Sequence, residues 1–149
     1  MSIADQVAVM RAGRLEQCAA PAEVYANPAT RFVAEFIGTM NRLPGVVGTD
    51  GGVVEVAGRR LPVRAGSEAS AGGVSVLIRP EALRLEVAVE GTATVRQAAF
   101  RGPITRVTAE LEDGTQVLSD VPSGAAGELV PGARARMGLA EAPVMVVAA

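Results

Sequence analysis

The sequence predicts a mainly β chain: a small antiparallel barrel or sandwich that follows a β-hairpin and two short helices. Three observations carry this expectation. Short valine-rich runs follow one another from Gly45 to the end. Turn pairs punctuate them at Asp50-Gly51, Ala57-Gly58 and Asp113-Gly114. Helical spacing of apolar residues occurs only ahead of Gly38.

Taken in order, "DQVAVMRAGRLEQC" predicts a hairpin, with Val7 and Val9 on one face, Ala12-Gly13 as the turn and Leu15 opening the return strand. "PAEVYANP" predicts a short helix opened by Pro21 and stopped near Asn27-Pro28. "NPATRFVAEFIG", residues 27–38, predicts a second helix. Asn27 caps it, Pro28 takes the first helical position, and Gly38 ends it in a left-handed turn. Phe32, Val33, Phe36 and Ile37 gather on one side of that helix as an apolar stripe. Residues 1–38 are too few to bury themselves.

The body follows. "GVVGTDGGVVEV" and "VEVAGRRLPV" predict strands joined by tight turns, and "GVSVLIR" places Val74, Val76 and Ile78 on one face. In "RVTAELEDGTQVLSDV", Val107, Ala109 and Leu111 alternate inward while Arg106, Thr108, Glu110 and Glu112 face water. The loops "RAGSEASAGG" and "PSGAAGELVPG" separate these groups. The segment from about Gly45 to Ala149 carries its own alternating strands and is expected to fold without residues 1–38.

Composition excludes much chemistry. The 149 residues hold 14 basic and 16 acidic side chains, a formal charge of −2, so no global field attracts a polyanion or an anionic membrane. Every basic residue is arginine; lysine and histidine are absent. A P-loop lysine, a Schiff base, an imidazole base and a histidine-ligated zinc are all excluded. Cys18 is the single cysteine, so no internal disulfide forms, and without histidine nothing activates its thiol as a nucleophile. No apolar run is long enough to span a membrane, and the first residues lack a signal-peptide pattern, so a soluble, cytosolic chain is expected.

Candidate sites are few. "GTDGG" at 48–52 imitates a glycine-rich phosphate loop but precedes a strand, so a hairpin turn is the expected outcome. Glu110, Glu112 and Asp113 alternate at a strand end, the pattern of a solvated face rather than a metal centre. "RPE" at 79–81 places Arg79 and Glu81 around a rigid proline. A surface ion pair is expected there, with oxyanion binding by Arg79 as the competing reading. Nucleic-acid binding is disfavoured: of Tyr25, Phe32, Phe36 and Phe100, only Phe100 lies in the β-body to stack a base.

"ADQVAVMRAGRLEQ", then "APAEVYANPATRFVAEFIG", then Asn41, then "IRPEALRL" resembles the C-terminal part of the ATP-binding subunit of bacterial ABC-type importers, in the branch serving sugars, polyamines, ferric iron and phosphonates. The resemblance implies residues 1–40 as the end of a nucleotide-binding domain, a hairpin plus two helices. It implies residues 41–149 as a small OB-like antiparallel β-barrel, the transport-associated OB (TOBE) domain. The ATP and Mg of such subunits belong to upstream motifs absent here, so no cofactor, metal or catalytic residue is expected in this chain. Met1 stands where the family is already past its switch histidine, so a C-terminal piece, from a cut chain or a split gene, is expected. At Ala19-Ala20-Pro21 the family's usual Gly then Thr or Ser is missing, which removes a side-chain cap worth about 0.5–2 kcal/mol.

Two functions from different classes follow. The resemblance implies a non-catalytic regulatory and dimerisation segment on the cytoplasmic side of an importer. Its partners would be a second copy of the subunit, the nucleotide-binding domain and the membrane permease, with no nucleic acid. Arg79 and Glu81 are then candidate ligand or interface residues. Phe32, Val33, Phe36 and Ile37 form a candidate dimer or domain interface. The alternative is a free-standing barrel that binds an oxyanion through Arg79 or backbone amides.

Overall fold

The computed structural model describes residues 4–68 and 70–149. Strands β1 (Val7–Arg11) and β2 (Arg14–Ala19) pair as the predicted hairpin, and Ala12 and Gly13 at its turn have φ of 48° and 78°. Both turn residues are left-handed, the conformation that matches the twist of a two-residue hairpin. Helix α1 (Pro21–Ala26) opens at Pro21, and Ala20 supplies no side-chain cap.

Helix α2 spans Arg31–Ile37, shorter at its start than residues 27–38. The cap is Thr30, whose Oγ1 accepts the Val33 N–H at 3.3 Å. Asn27 serves a different purpose. Its carbonyl accepts from Gln17 of the hairpin and its Oδ1 from Arg64 of the body, and Gln17 Oε1 in turn takes the Ala29 N–H at 2.8 Å. These tertiary bonds hold residues 27–30 out of the helix and override the local cap signal. Gly38 is also unlike its expectation: its φ is 177°, extended backbone, and the position needs a small residue for a different reason given below.

Beyond α2 the chain builds two five-stranded antiparallel sheets. The first has the order β12-β6-β3-β4-β5, from β3 (Asn41–Val47), β4 (Val53–Val56), β5 (Arg59–Pro62), β6 (Gly72–Ile78) and β12 (Met145–Ala148). Its outer strands meet through a parallel bridge between Val63 and Val144, with Val144 N–H donating to Pro62 O and Arg64 N–H to Val144 O. The sheet therefore curls into a closed, OB-like barrel. The second has the order β10-β9-β8-β11-β7, from β7 (Leu83–Val87), β8 (Ala93–Arg101), β9 (Ile104–Leu111), β10 (Gln116–Pro122) and β11 (Arg134–Leu139).

Alternation decides which residues go inside. Val74, Val76 and Ile78 of β6 are buried on one face, as are Val107 and Ala109 of β9, and these join Leu43, Val54, Leu61, Leu83, Val95, Val117 and Val146 in one continuous core between the sheets. Two smaller clusters sit outside it. Val9, Val24 and Val33 tie the hairpin to both helices, and Ala34 packs with Leu77, Met145 and Val147 on the outer face of the first sheet. The lead-in is thus docked on the β-body rather than trailing from it.

Candidate functional site

The docking surface is organised around the "RPE" turn. β6 ends at Ile78, Arg79 is extended (φ −64°, ψ 145°), and Pro80–Ala82 form one 3-10 turn that redirects the chain into β7. This places the Arg79 guanidinium over the ring of Tyr25 in α1, with Cζ 4.1 Å from the centroid. Arg79 Nη2 donates to the Tyr25 carbonyl at 3.4 Å. The Tyr25 hydroxyl in turn donates to Glu81 Oε1 at 2.5 Å. The exposed Arg79–Glu81 ion pair is not formed; the tyrosine stands between the two charges.

Gly38 belongs to the same arrangement. A Cβ at this position would lie 2.7 Å from Arg79 Nη1, so the glycine makes room for the guanidinium, which would have to shift for any larger residue, and its backbone angle plays no part. Arg79 Nη1 itself is buried and has no acceptor among the described residues. Burial pushes the Arg79 guanidinium below its usual range, with Tyr25 and Glu81 opposing the shift. Burial, then the bond to Glu81 and the Glu81 charge, push the Tyr25 hydroxyl up to about 12. Beside them Arg106 binds Asp120 through two hydrogen bonds of 2.7 Å and donates to Thr39 Oγ1 at 3.4 Å. That pairing holds the Asp120 carboxyl below its usual range.

The apolar stripe of α2 does not form a single face. Val33 is fully buried against Val9 and Val24, and Phe32 and Ile37 are partly buried beside it. Phe36 is 66% exposed and stacks on Phe32 with 5.5 Å between ring centroids, while Arg11 lies over the other ring at 4.9 Å. Ala34, which the stripe omitted, is the residue that meets the β-body. Its small side chain gave no hydrophobic signal, yet close approach of a helix to a sheet calls for a small residue.

A cleft of about 140 Å³ opens between the lead-in and the body, walled by Pro28, Met40, Leu61, Leu77, Pro143 and Met145, with Tyr25, Arg64 and Arg79 among its lining. Arg64 donates to Asn27 Oδ1 at 2.5 Å and to the Pro143 carbonyl at 3.3 Å. Sequence reasoning did not single out Arg64; nothing local marks an arginine whose partners are 37 and 79 residues away.

The remaining candidates resolve into structural roles. "GTDGG" is a strand-to-strand turn, with Gly51 N–H donating to Gly48 O at 3.0 Å and Gly52 N–H to Asp50 Oδ1 at 3.3 Å. Glu110 pairs with Arg96 at 3.0 Å, Glu112 with Arg134 at 3.3 Å, and Asp113 accepts the Thr115 N–H at 2.8 Å. Cys18 is exposed on β2. Phe100 is 76% exposed near the end of β8. No helix among the described residues is long and apolar enough to cross a membrane.

Comparison with known proteins converges on one group. Residues 76–147 match the TOBE domain. The chain is 41% identical over 140 residues to the sulfate/thiosulfate import ATP-binding protein CysA of Xylella fastidiosa (strain 9a5c), covering 92% of this chain and 38% of that protein. It is 34% identical over 126 residues to the spermidine/putrescine import ATP-binding protein PotA of Ruegeria pomeroyi, covering 77% of this chain and 33% of the relative. The chain therefore spans only about a third of the length of these relatives, 38% of the one and 33% of the other. Among solved structures, the cytoplasmic molybdate-binding protein ModG, with molybdate bound, superposes with a TM-score of 0.55 at 20% identity over 73% of this chain and 96% of that one. At that identity the likeness is one of fold.

Proposed function

This chain belongs, through residues 76–147, to the TOBE domain family and is similar to part of the ATP-binding subunits of bacterial ABC-type importers, and on that premise we propose that it is the non-catalytic regulatory and dimerisation segment of such a subunit. The observation that carries the proposal is the breadth of the similarity to CysA. It takes in 92% of this chain, so it includes much of the hairpin-and-helix lead-in as well as the TOBE domain. In this reading residues 1–40 close a nucleotide-binding domain and residues 41–149 form the TOBE domain. The partners are a second copy of the subunit and the membrane permease, at the cytoplasmic face of the membrane.

The residues present do not fit ATP. There is no lysine for the β- and γ-phosphates, and the one glycine-rich turn joins β3 to β4 instead of opening a helix whose amides would face a phosphate. ATP and Mg would be held by the remainder of a full-length subunit, and this chain would act by contacting its dimer differently in two arrangements. Arg79, Tyr25 and Glu81 fix the angle at which the lead-in meets the body and are the proposed interface between them.

The oxyanion-module reading, to which the ModG likeness lends its fold, would need Arg79 as a donor facing solvent. Here that guanidinium is stacked on Tyr25 and one of its nitrogens is buried, which favours the accessory reading.

A chimera tests the proposal. In the Xylella CysA subunit, the aligned segment is replaced by this chain and ATP-driven sulfate uptake is measured beside a version lacking the segment. Uptake restored by the chimera supports the proposal. A folded chimera that transports no better than the truncated subunit overturns it.

A further inference from the structure

We propose that the end of β8, residues 97–101, is a docking edge where a second copy of the chain adds its own β8, antiparallel and symmetric about Ala99. The proposal rests on the dimer supposed above and names the surface that would make it. β8 pairs with β9 along its length on one side. On its other side only the start is covered: Ala93 and Thr94 pair with β11, and Val95 exchanges backbone bonds with Gly132 and Ala133. The β9 ladder then skips Arg96, and over residues 97–101 no strand or backbone bond among the described residues meets the outer edge. An antiparallel strand turns half its N–H and C=O groups to each side, so this run offers unpaired groups to another strand. By contrast, β5 and β12 close on each other through Val63 and Val144, and β10 takes the Asn41 side chain at Leu118.

The side chains on this run fit their own copy. Ala98 and Phe100 lie opposite the buried Val107 and Thr105, so they continue the core face of the sheet, yet Ala98 is exposed and Phe100 is 76% exposed. A two-fold axis at Ala99 sets Phe100 of each copy across from Ala98 of the other, a ring over a methyl, while Gln97 faces Arg101. No like charges meet. Arg101, which makes no ion pair among the described residues, gains an amide acceptor. Moving the axis by one residue sets Phe100 against its own copy or against Arg96, which is already bound to Glu110. Pairing over so short a run is a small contact, so the dimer is weak and forms at high concentration.

Thiol cross-linking in the full chain tests this. Cys18→Ser removes the native thiol, and Phe36→Asp removes the exposed ring of α2 as a competing contact. In that background Ala99→Cys places two thiols at the axis, where directly opposed residues come within the Cα separation that a disulfide spans. Val89→Cys, at 93% exposure just beyond β7, is the control. Under mild oxidation at high protein concentration, Ala99→Cys should form a linked dimer at least about tenfold faster than Val89→Cys. Adding Phe100→Asp should slow it to the control rate with circular dichroism unchanged. Adding Ala98→Arg to that variant should restore it, because the new charges face each other across the axis. Equal rates at the two thiol positions, a rate that Phe100→Asp leaves unchanged, or no recovery with Ala98→Arg overturns the proposal. If Phe100→Asp fails to fold, the comparison of Ala99→Cys with Val89→Cys decides. Cross-linking reads contact and not transport, so a failure here leaves the uptake result of the chimera to stand by itself.

Discussion

The side chain of Asn41 pairs with both backbone groups of Leu118, donating from Nδ2 to the carbonyl at 2.8 Å and accepting the N–H on Oδ1 at 2.7 Å. Asn41 starts β3 in the first sheet, is 4% exposed, and reaches the edge of β10 in the second. Asn41→Ala leaves both Leu118 groups without these partners and should cost about 2–4 kcal/mol in urea unfolding. Asn41→Asp keeps the acceptor but sets a carboxylate against a carbonyl. It should be similarly damaging at neutral pH and regain stability as acid restores a donor. A neutral outcome for Asn41→Ala would show that water replaces the pair.

Gly38→Ala meets no backbone penalty at a φ of 177°, so its whole cost arises from the added methyl against Arg79 Nη1. A loss of about 1–3 kcal/mol in thermal unfolding is expected. In an Arg79→Ala background the same change should cost less than half as much, because its collision partner is gone. Additive losses would place the cost elsewhere.

Tyr25 is the single tyrosine and tryptophan is absent, so phenolate absorbance reports this one group. It should titrate in the folded protein near the raised value of about 12 instead of its ordinary 10.0. The sign follows directly. Folding favours the neutral phenol, so the contribution is whole below the unfolded value and is lost as pH rises from there through about 12. Glu81→Ala removes the carboxylate's bond and charge and should bring the titration down. An unmoved titration in that variant would mean burial acts alone.

Truncation separates two domain starts. A chain beginning at Asn41 keeps all of β3 and should unfold cooperatively, with a lower midpoint and with dye binding at Leu77, Met145 and Val147, which Ala34 and Met40 otherwise cover. A chain beginning at Gly45, the start that alternation alone suggested for an independently folding body, loses Leu43 and the Asn41 pair, so the expectation moves to Asn41 and the Gly45 chain should show no cooperative transition in differential scanning calorimetry.

Self-association is expected through Phe36, whose ring is two-thirds exposed beside Phe32. Burying it is worth about 1.5–3 kcal/mol, so Phe36→Asp should weaken a dimer by tenfold or more in light scattering. A wild-type chain that stays monomeric at high concentration rules this out.

Much of the fold was legible because its signals are local. Ala12-Gly13, Ala57-Gly58 and Asp113-Gly114 each sit at a strand-to-strand turn, and the inward runs of β6 and β9 follow from alternation. The boundaries of α2 were not legible. Asn27-Pro28 has the composition of a helix start, but Gln17 and Arg64 claim its polar groups from distant parts of the chain, and Thr30 takes over as cap. The site was half legible. Arg79 and Glu81 stand together in the sequence, whereas Tyr25, which binds both, lies more than fifty residues earlier, and no local pattern encodes that meeting.

The closing bridge of the first sheet also bears on when this protein acquires its shape. β6 lies between β3 and β12, and Val146 on β12 is fully buried in the shared core. Synthesis delivers β3 to β6 well before β12, so the first four strands can pair while the Val63–Val144 closure waits for β12 to emerge. Until then a valine-rich seam stands open on the nascent chain. Emergence of β12, rather than pairing of the first four strands, is the event that completes the barrel.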